Sequence, residues 1–248
     1  MKARILSILG AASVMLFTGF ATAQVGSDIS ESSLQELIQN ADPIAGMVRL
    51  PITGMQAVEN SDGEIIFVSD SGRFAIVGEL VDVWQVKTLN SLAQIRTAIE
   101  RIDLRGDGVD VDALNVVSLG NGPQEVIVFT DPLCTICSKV MSDAELLTKE
   151  FTFKFIVIPA LGDDSNKLAR QFYCAADKDE RYQALKNNSI SSLKVKPDCD
   201  IAMYDQTLLV SHLLSVDGVP FILSPKGRIH RGRPASLAGW LNEDTQGQ

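Results

Sequence analysis

Hydrophobic positions change their spacing several times along the chain, and each change marks a boundary. Leu34, Leu37 and Ile38 in "ESSLQELIQN" recur at three and four residues, which predicts a short amphipathic helix over 31–40 that ends near Asp42-Pro43. In "EIIFVSDSGRFAIVGEL" two runs of β-formers, 65–68 and 74–77, flank Asp70-Ser71-Gly72. That is a hairpin pattern, because Gly72 can take a positive φ in the turn. The unit over 28–87 is too small to bury much surface alone, so it gains from pairing with a second copy. Leu89, Leu92, Ile95, Ile99 and Ile102 then share one helical stripe, running to a break at 105–108. Residues 88–108 therefore read as a linker helix and hinge.

Beyond "GNGP" at 120–123 strands and helices alternate. The pattern predicts a strand at 125–130, a helix from about Cys134, a strand at 153–159, and helical segments over 164–187 and 200–215. Strands at 219–224 and around "RIHRG" and a last helix near 237–241 complete it. Residues 109–248 thus read as one compact α/β domain with a helical insertion, closed by an antiparallel hairpin.

Composition sets the compartment. Lys2 and Arg4 precede an apolar stretch over 5–20 and the small-residue tripeptide Ala21-Thr22-Ala23, the layout of a secretory signal cleaved after Ala23. Removing residues 1–23 takes away two basic groups and moves the formal charge from −9 to −11. So acidic a chain does not suit a phosphate backbone, and nucleic acid is not expected as a partner. Four cysteines in an exported chain of 248 residues make two bonds at most, too few for a disulfide-dense scaffold.

Two of the four stand in "FTDPLCTICSKV" as Cys134-x-x-Cys137. Cys134 falls where a strand has ended and a helix begins, so unpaired backbone N–H groups and the helix dipole can stabilise its thiolate, the form that attacks disulfides. Cys137 lies one turn on and is expected to be less accessible, an arrangement of an exposed attacking and a shielded resolving thiol. A purely structural bond is one alternative. Zinc is another, and needs two more ligands from Cys174, Cys199, His212 and His230, none of which forms a second tight pair. Downstream, Pro220 opens a strand; a cis bond from Val219 would turn the Val219 backbone toward the cysteines as a short edge for an unfolded substrate. Asp131 reads mainly as a strand-end turn residue, with proton transfer during thiol exchange as its alternative role. Lys139 reads as a solvated side chain, His212 as packed among the leucines of its helix, and His230 as a sheet residue.

"FTDPLCTICSKV", followed by "YCAADKDE", "PDCD" and "VDGVP", and preceded by "DPIAGM" and "IIFVSDSGRFAIVG", resembles the periplasmic disulfide isomerase family DsbC/DsbG over nearly the whole mature chain. The resemblance implies a thioredoxin-like α/β catalytic domain with a helical insertion, joined by a linker helix to a small N-terminal α+β domain that makes a homodimer. It implies that Cys134 attacks and Cys137 resolves, that Thr135, Ile136, Val219 and Pro220 meet the substrate, and that Cys174 and Cys199 form a structural disulfide. The clients would be misoxidised or unfolded exported proteins, with no cofactor and no metal, and a membrane reductase of the DsbD type would keep the pair reduced. Chaperone-like binding of unfolded chains and dithiol oxidation are the alternative activities. Thr135-Ile136 stands where the family more usually has Gly-Tyr or Pro-Tyr, and Val219 where the isomerase usually has threonine; both positions bear on redox potential in thioredoxin-like proteins.

Overall fold

The computed structural model describes residues 44–52, 54–83 and 85–246; the expected signal segment and the helix over 31–40 lie outside them. Strands β1 (Gly46–Arg49), β2 (Met55–Glu59), β3 (Ile65–Ser69) and β4 (Ala75–Val77) form an antiparallel meander in that order. The expected hairpin is β3–β4, with Ile66 opposite Val77 and Val68 opposite Ala75. Gly72 makes its turn at φ 68°, donating its N–H to the Ser69 carbonyl. Strands β5 (Leu80–Asp82) and β6 (Lys87–Leu89) make a second hairpin. Helix α1 (Leu92–Glu100) packs on the meander, where Leu92 and Ile95 join Leu50, Ala57, Phe67 and Leu89 in one apolar cluster. Its first turn is fixed at both ends: Ser91 accepts from the Gln94 N–H, and the Gln94 side chain accepts from the Asn90 N–H. The result is a small α+β N-terminal domain whose linker helix belongs to its own core.

The helical part of the linker is shorter than the stripe suggests. Leu89 pairs with Leu80 in the β5–β6 ladder, and Arg101 leaves the helix in an extended conformation to bridge Arg228. Ile102 then donates its N–H to the Gly227 carbonyl at 2.8 Å. Gly227 is required there, since a Cβ would lie 2.4 Å from the Ile102 carbonyl oxygen. Arg101 also reaches the buried carboxylate of Asp244 at 3.1 Å, so the chain enters the second domain tied at three points.

That domain is built on a five-stranded sheet in the order β11 (Ile229–Arg231), β10 (Phe221–Leu223), β8 (Gln124–Thr130), β9 (Phe151–Val157), β7 (Val116–Leu119). Strands β8 and β9 are parallel and the other pairs antiparallel. Both faces are buried, which is why the central strands are almost continuously apolar. Val126, Val128, Phe153 and Phe155 pack under helices α2 (Thr135–Glu145) and α6 (Leu237–Gln246). Ile127, Phe129 and Ile156 face Leu104, Val111 and Leu114 on the other side. Helices α3 (Asp163–Tyr173), α4 (Arg181–Lys186) and α5 (Ala202–Leu213) intervene between β9 and β10. This is a thioredoxin-like α/β domain with a helical insertion.

His212 departs from expectation. The buried face of α5 is Tyr204, Thr207 and Val210, and His212 is exposed on the same helix, as are Leu209 and Leu213. The leucine-rich run covers more of the helix circumference than the core can use.

Candidate active site

Strand β8 ends at Thr130, and the next four residues set the geometry of the Cys-x-x-Cys. Asp131 is buried, and its carboxylate accepts from the Leu133 N–H at 2.7 Å, the Leu161 N–H at 3.0 Å and the Ser165 hydroxyl at 2.8 Å. Its carbonyl accepts from the Cys134 N–H. Asp131 thus has the strand-end role, fastening the turn before Cys134 to the loop before α3. Replacing it with Ala leaves two backbone N–H groups and a hydroxyl without their acceptor. Because water reaches the two leucines, a loss of about 2 kcal/mol in urea unfolding is expected rather than the full burial penalty.

Cys134 is the N-cap of α2 and is disulfide-bonded to Cys137, with their Cα atoms 5.2 Å apart. The Cys137 N–H points at the Cys134 sulfur at 3.1 Å, so an N–H of the helix start addresses the atom that carries charge when the bond is reduced. Cys134 is 7 % exposed in this oxidised form, short of the open thiol expected, and Cys137 is 2 % exposed. Around them Thr135, Ile136 and Leu133 are exposed. Lys139 is exposed as well.

Strand pairing brings the second half of the site in. Phe221 of β10 lies opposite Phe129 of β8, which sets Pro220 and Val219 beside the end of β8. The Val219-Pro220 bond is cis, and the Val219 carbonyl oxygen lies 3.8 Å from the Cys134 sulfur. That carbonyl therefore stands directly beside the Cys134 sulfur. Leu133 and Leu161 escaped sequence reasoning. Both are exposed leucines, and their backbones are held by the same carboxylate, a relation that only the β8–β9 pairing creates.

The other cysteines and histidines sit elsewhere. Cys174 at the end of α3 is bonded to Cys199, Cα to Cα 5.6 Å, within the insertion. His230 is on β11 with its ring edge-on to Trp240 at 5.4 Å. Among the described residues no group of three or more His, Cys, Asp or Glu side chains is arranged to hold a metal ion, and no helix is long and apolar enough to cross a membrane.

A sequence model described as the disulfide bond isomerase protein N-terminal domain (DsbC_N) matches residues 21–92. Comparison with curated proteins gives no match. Among solved structures, a disulfide interchange protein from Neisseria gonorrhoeae is similar at 23 % identity and TM-score 0.45, over 56 % of this chain and 99 % of that one. DsbG of Helicobacter pylori is similar at 19 % identity and TM-score 0.40, over 77 % of this chain and 97 % of that one. The catalytic domain of Proteus mirabilis ScsC is similar at 18 % identity and TM-score 0.43, over 56 % and 95 %. The stretch that matches the disulfide bond isomerase N-terminal domain thus precedes an α/β domain that carries Cys134 and Cys137 at the start of α2.

Proposed function

We propose that the protein isomerises or reduces incorrect disulfides in exported proteins, with Cys134 as the attacking and Cys137 as the resolving thiol. The observation that carries this reading is the Cys137 N–H aimed at the Cys134 sulfur at 3.1 Å, combined with the deeper burial of Cys137. Thr135, Ile136, Val219 and Pro220 form the substrate contact, and a membrane reductase of the DsbD type returns the pair to the dithiol. In this reading residues 1–23 direct export to the periplasm, 28–87 dimerise, 88–108 link, and 109–248 carry the chemistry. Edge strand β4 supports a dimer: Ile76 on it and Phe74 just before it are 56 % and 63 % exposed. Ile76→Asp is expected to yield monomers by light scattering, and a wild-type monomer at micromolar concentration would count against the arrangement.

Thr135 and Ile136 bring no basic group to Cys134, so the helix start must do most of the stabilising. Iodoacetamide reactivity against pH is expected to give a Cys134 pKa below the ~8.5 of a free cysteine and above the ~3.5 of DsbA. A less stabilised thiolate disfavours the reduced form, so the pair should be less oxidising than the roughly −120 mV of DsbA in a glutathione equilibrium. Values at the DsbA end for both would indicate a dithiol oxidase. The exposed Leu133, Ile136 and Leu161 favour a second reading, chaperone-like binding of unfolded chains. Full suppression of aggregation by a Cys134→Ser, Cys137→Ser variant is its signature.

A further inference from the structure

Arg181, the first residue of α4, is 5 % exposed. Its Nη2 donates to the Asn115 side-chain oxygen at 2.9 Å, and its guanidinium lies over the Phe172 ring, 4.0 Å from the centroid. Both partners are neutral. Its Nε makes no hydrogen bond, and among the described residues no carboxylate comes within ion-pair distance. Burial pushes the Arg181 pKa down to about 10, so the group remains a cation at neutral pH. Asn115 cannot relieve it further, since its amide nitrogen is committed to the Val157 and Ala169 carbonyls. The chain treats its other buried charge near an arginine differently: Asp244 has Arg101 at 3.1 Å and Arg228 at 3.6 Å. A buried charge left unpaired is a standing cost to the fold, and arginine's planar fork of donors is matched best by a carboxylate.

Arg181 lines a cavity of about 790 Å³ between the insertion and β7, and no residue around Cys134 lines it. The wall combines apolar Val116 and Met203 with the rings of Tyr173 and Tyr182. Its charged groups largely cancel. Asp112 is paired with Arg105 and Lys154, and Asp200 caps the Ala202 N–H. Exposed Asp179 and Asp198 are offset by exposed Lys178 and Lys196. Asp200 keeps its charge, but it is exposed to water; Arg181 is the one charged group of this wall that is buried.

We infer that this cavity binds a small molecule with a carboxylate on an apolar or aromatic body, the carboxylate meeting Arg181 and the body lying against Met203 and the tyrosines. The site is separate from thiol exchange, so a Cys134→Ser variant should bind equally well. Benzoate is a suitable probe, with chloride and phosphate at matched ionic strength as comparators. In ¹⁵N spectra of the mature oxidised protein, the Arg181 Nε–Hε signal, identified by its loss in Arg181→Met, is expected to shift saturably with benzoate and not with chloride. Benzoate should raise the melting temperature of the wild type and leave Arg181→Met unchanged. Should that variant fail to fold, Met203→Trp, which narrows the cavity and keeps Arg181, is expected to weaken benzoate about tenfold or more, about 1.4 kcal/mol. An Arg181 signal that stays still while surface signals move, or equal benzoate affinity in Met203→Trp, shows a water-filled cavity and overturns the proposal.

Discussion

A Cys134→Ser variant is expected to lose both insulin reduction and repair of scrambled ribonuclease, by on the order of a thousandfold, because it removes the one sulfur among the described residues that meets both the helix-start N–H and the Val219 carbonyl. In the mechanism proposed above, the Cys134 thiolate of the reduced wild type attacks one sulfur of a substrate disulfide, forming a mixed disulfide and expelling the other sulfur as a thiolate that takes up a proton. Two exits follow. A second substrate thiol can attack the mixed disulfide, which returns Cys134 with no net oxidation. Alternatively Cys137 attacks it, releasing a dithiol substrate and leaving the Cys134–Cys137 bond seen here, two electrons having passed to the substrate. Cys137→Ser removes only the second exit. It should therefore form mixed disulfides normally and hold them, visible as substrate-linked bands that reductant dissolves. Isomerisation should survive in part and insulin reduction should not. Normal turnover by Cys134→Ser in both assays would mean that the attacking sulfur has been misassigned, since Cys137 is almost fully covered and the other two cysteines are bonded to each other.

Much of this site was legible because it lies at a change of hydrophobic period. The apolar run ending at Thr130 and the helical spacing after Cys134 force a strand-to-helix turn between them, and a cysteine placed there becomes the helix cap. The cis bond before Pro220 was not legible, because local sequence leaves that geometry open and the fold decides it. The stripe over 89–102 misled for a different reason. Spacings of three and four recur by coincidence across β6, α1 and an extended segment, and only the ladder of Leu89 with Leu80 and the bond from Ile102 to Gly227 divide them. Strand β7 and the hairpin β5–β6 are too short for their periodicity to stand out, yet β7 borders both the sheet and the Arg181 cavity. Arg181 itself gave no signal at all. It stands among charges in "DKDERYQAL", and its burial arises from packing on Phe172 near the end of α3, a contact that neither hydrophobic period announces.

Converting both Cys174 and Cys199 to Ala is expected to destabilise the protein by about 3 kcal/mol, chiefly by freeing the unfolded chain, since the bond closes a loop at a sequence separation of 25. For a chain of this size that corresponds to a fall of roughly 10 °C in melting temperature. Within the loop it closes, α4 is anchored by Ala184, Leu185 and the Lys186–Glu145 pair, and the residues after it are held less well. The segment "NNSISSLKVKPD" is polar and helix-breaking, α4 has six residues, and the backbone ties across the loop mouth are the bonds from Ala176 to Lys194 and from Lys196 to Cys174. Ile190 and Leu193 anchor its far side in the core, and the Gln171 amide reaches the Ser191 and Leu193 carbonyls. The loss should therefore appear first as amide exchange over 177–198, ahead of global unfolding. The two disulfides should also separate by reducibility. A bond within a helix-start Cys-x-x-Cys, whose reduced form the helix N–H groups stabilise, opens to dithiothreitol before one whose opening releases the whole loop between Cys174 and Cys199. Peptide mapping after graded reduction is expected to find Cys134 and Cys137 fully labelled while Cys174 and Cys199 remain joined. Equal lability of the two pairs, or an unchanged melting temperature in the double variant, would remove the structural role assigned to this bond and leave the insertion to its side-chain contacts, among them Leu185, Ile190 and Leu193 in the core and Lys186 on Glu145.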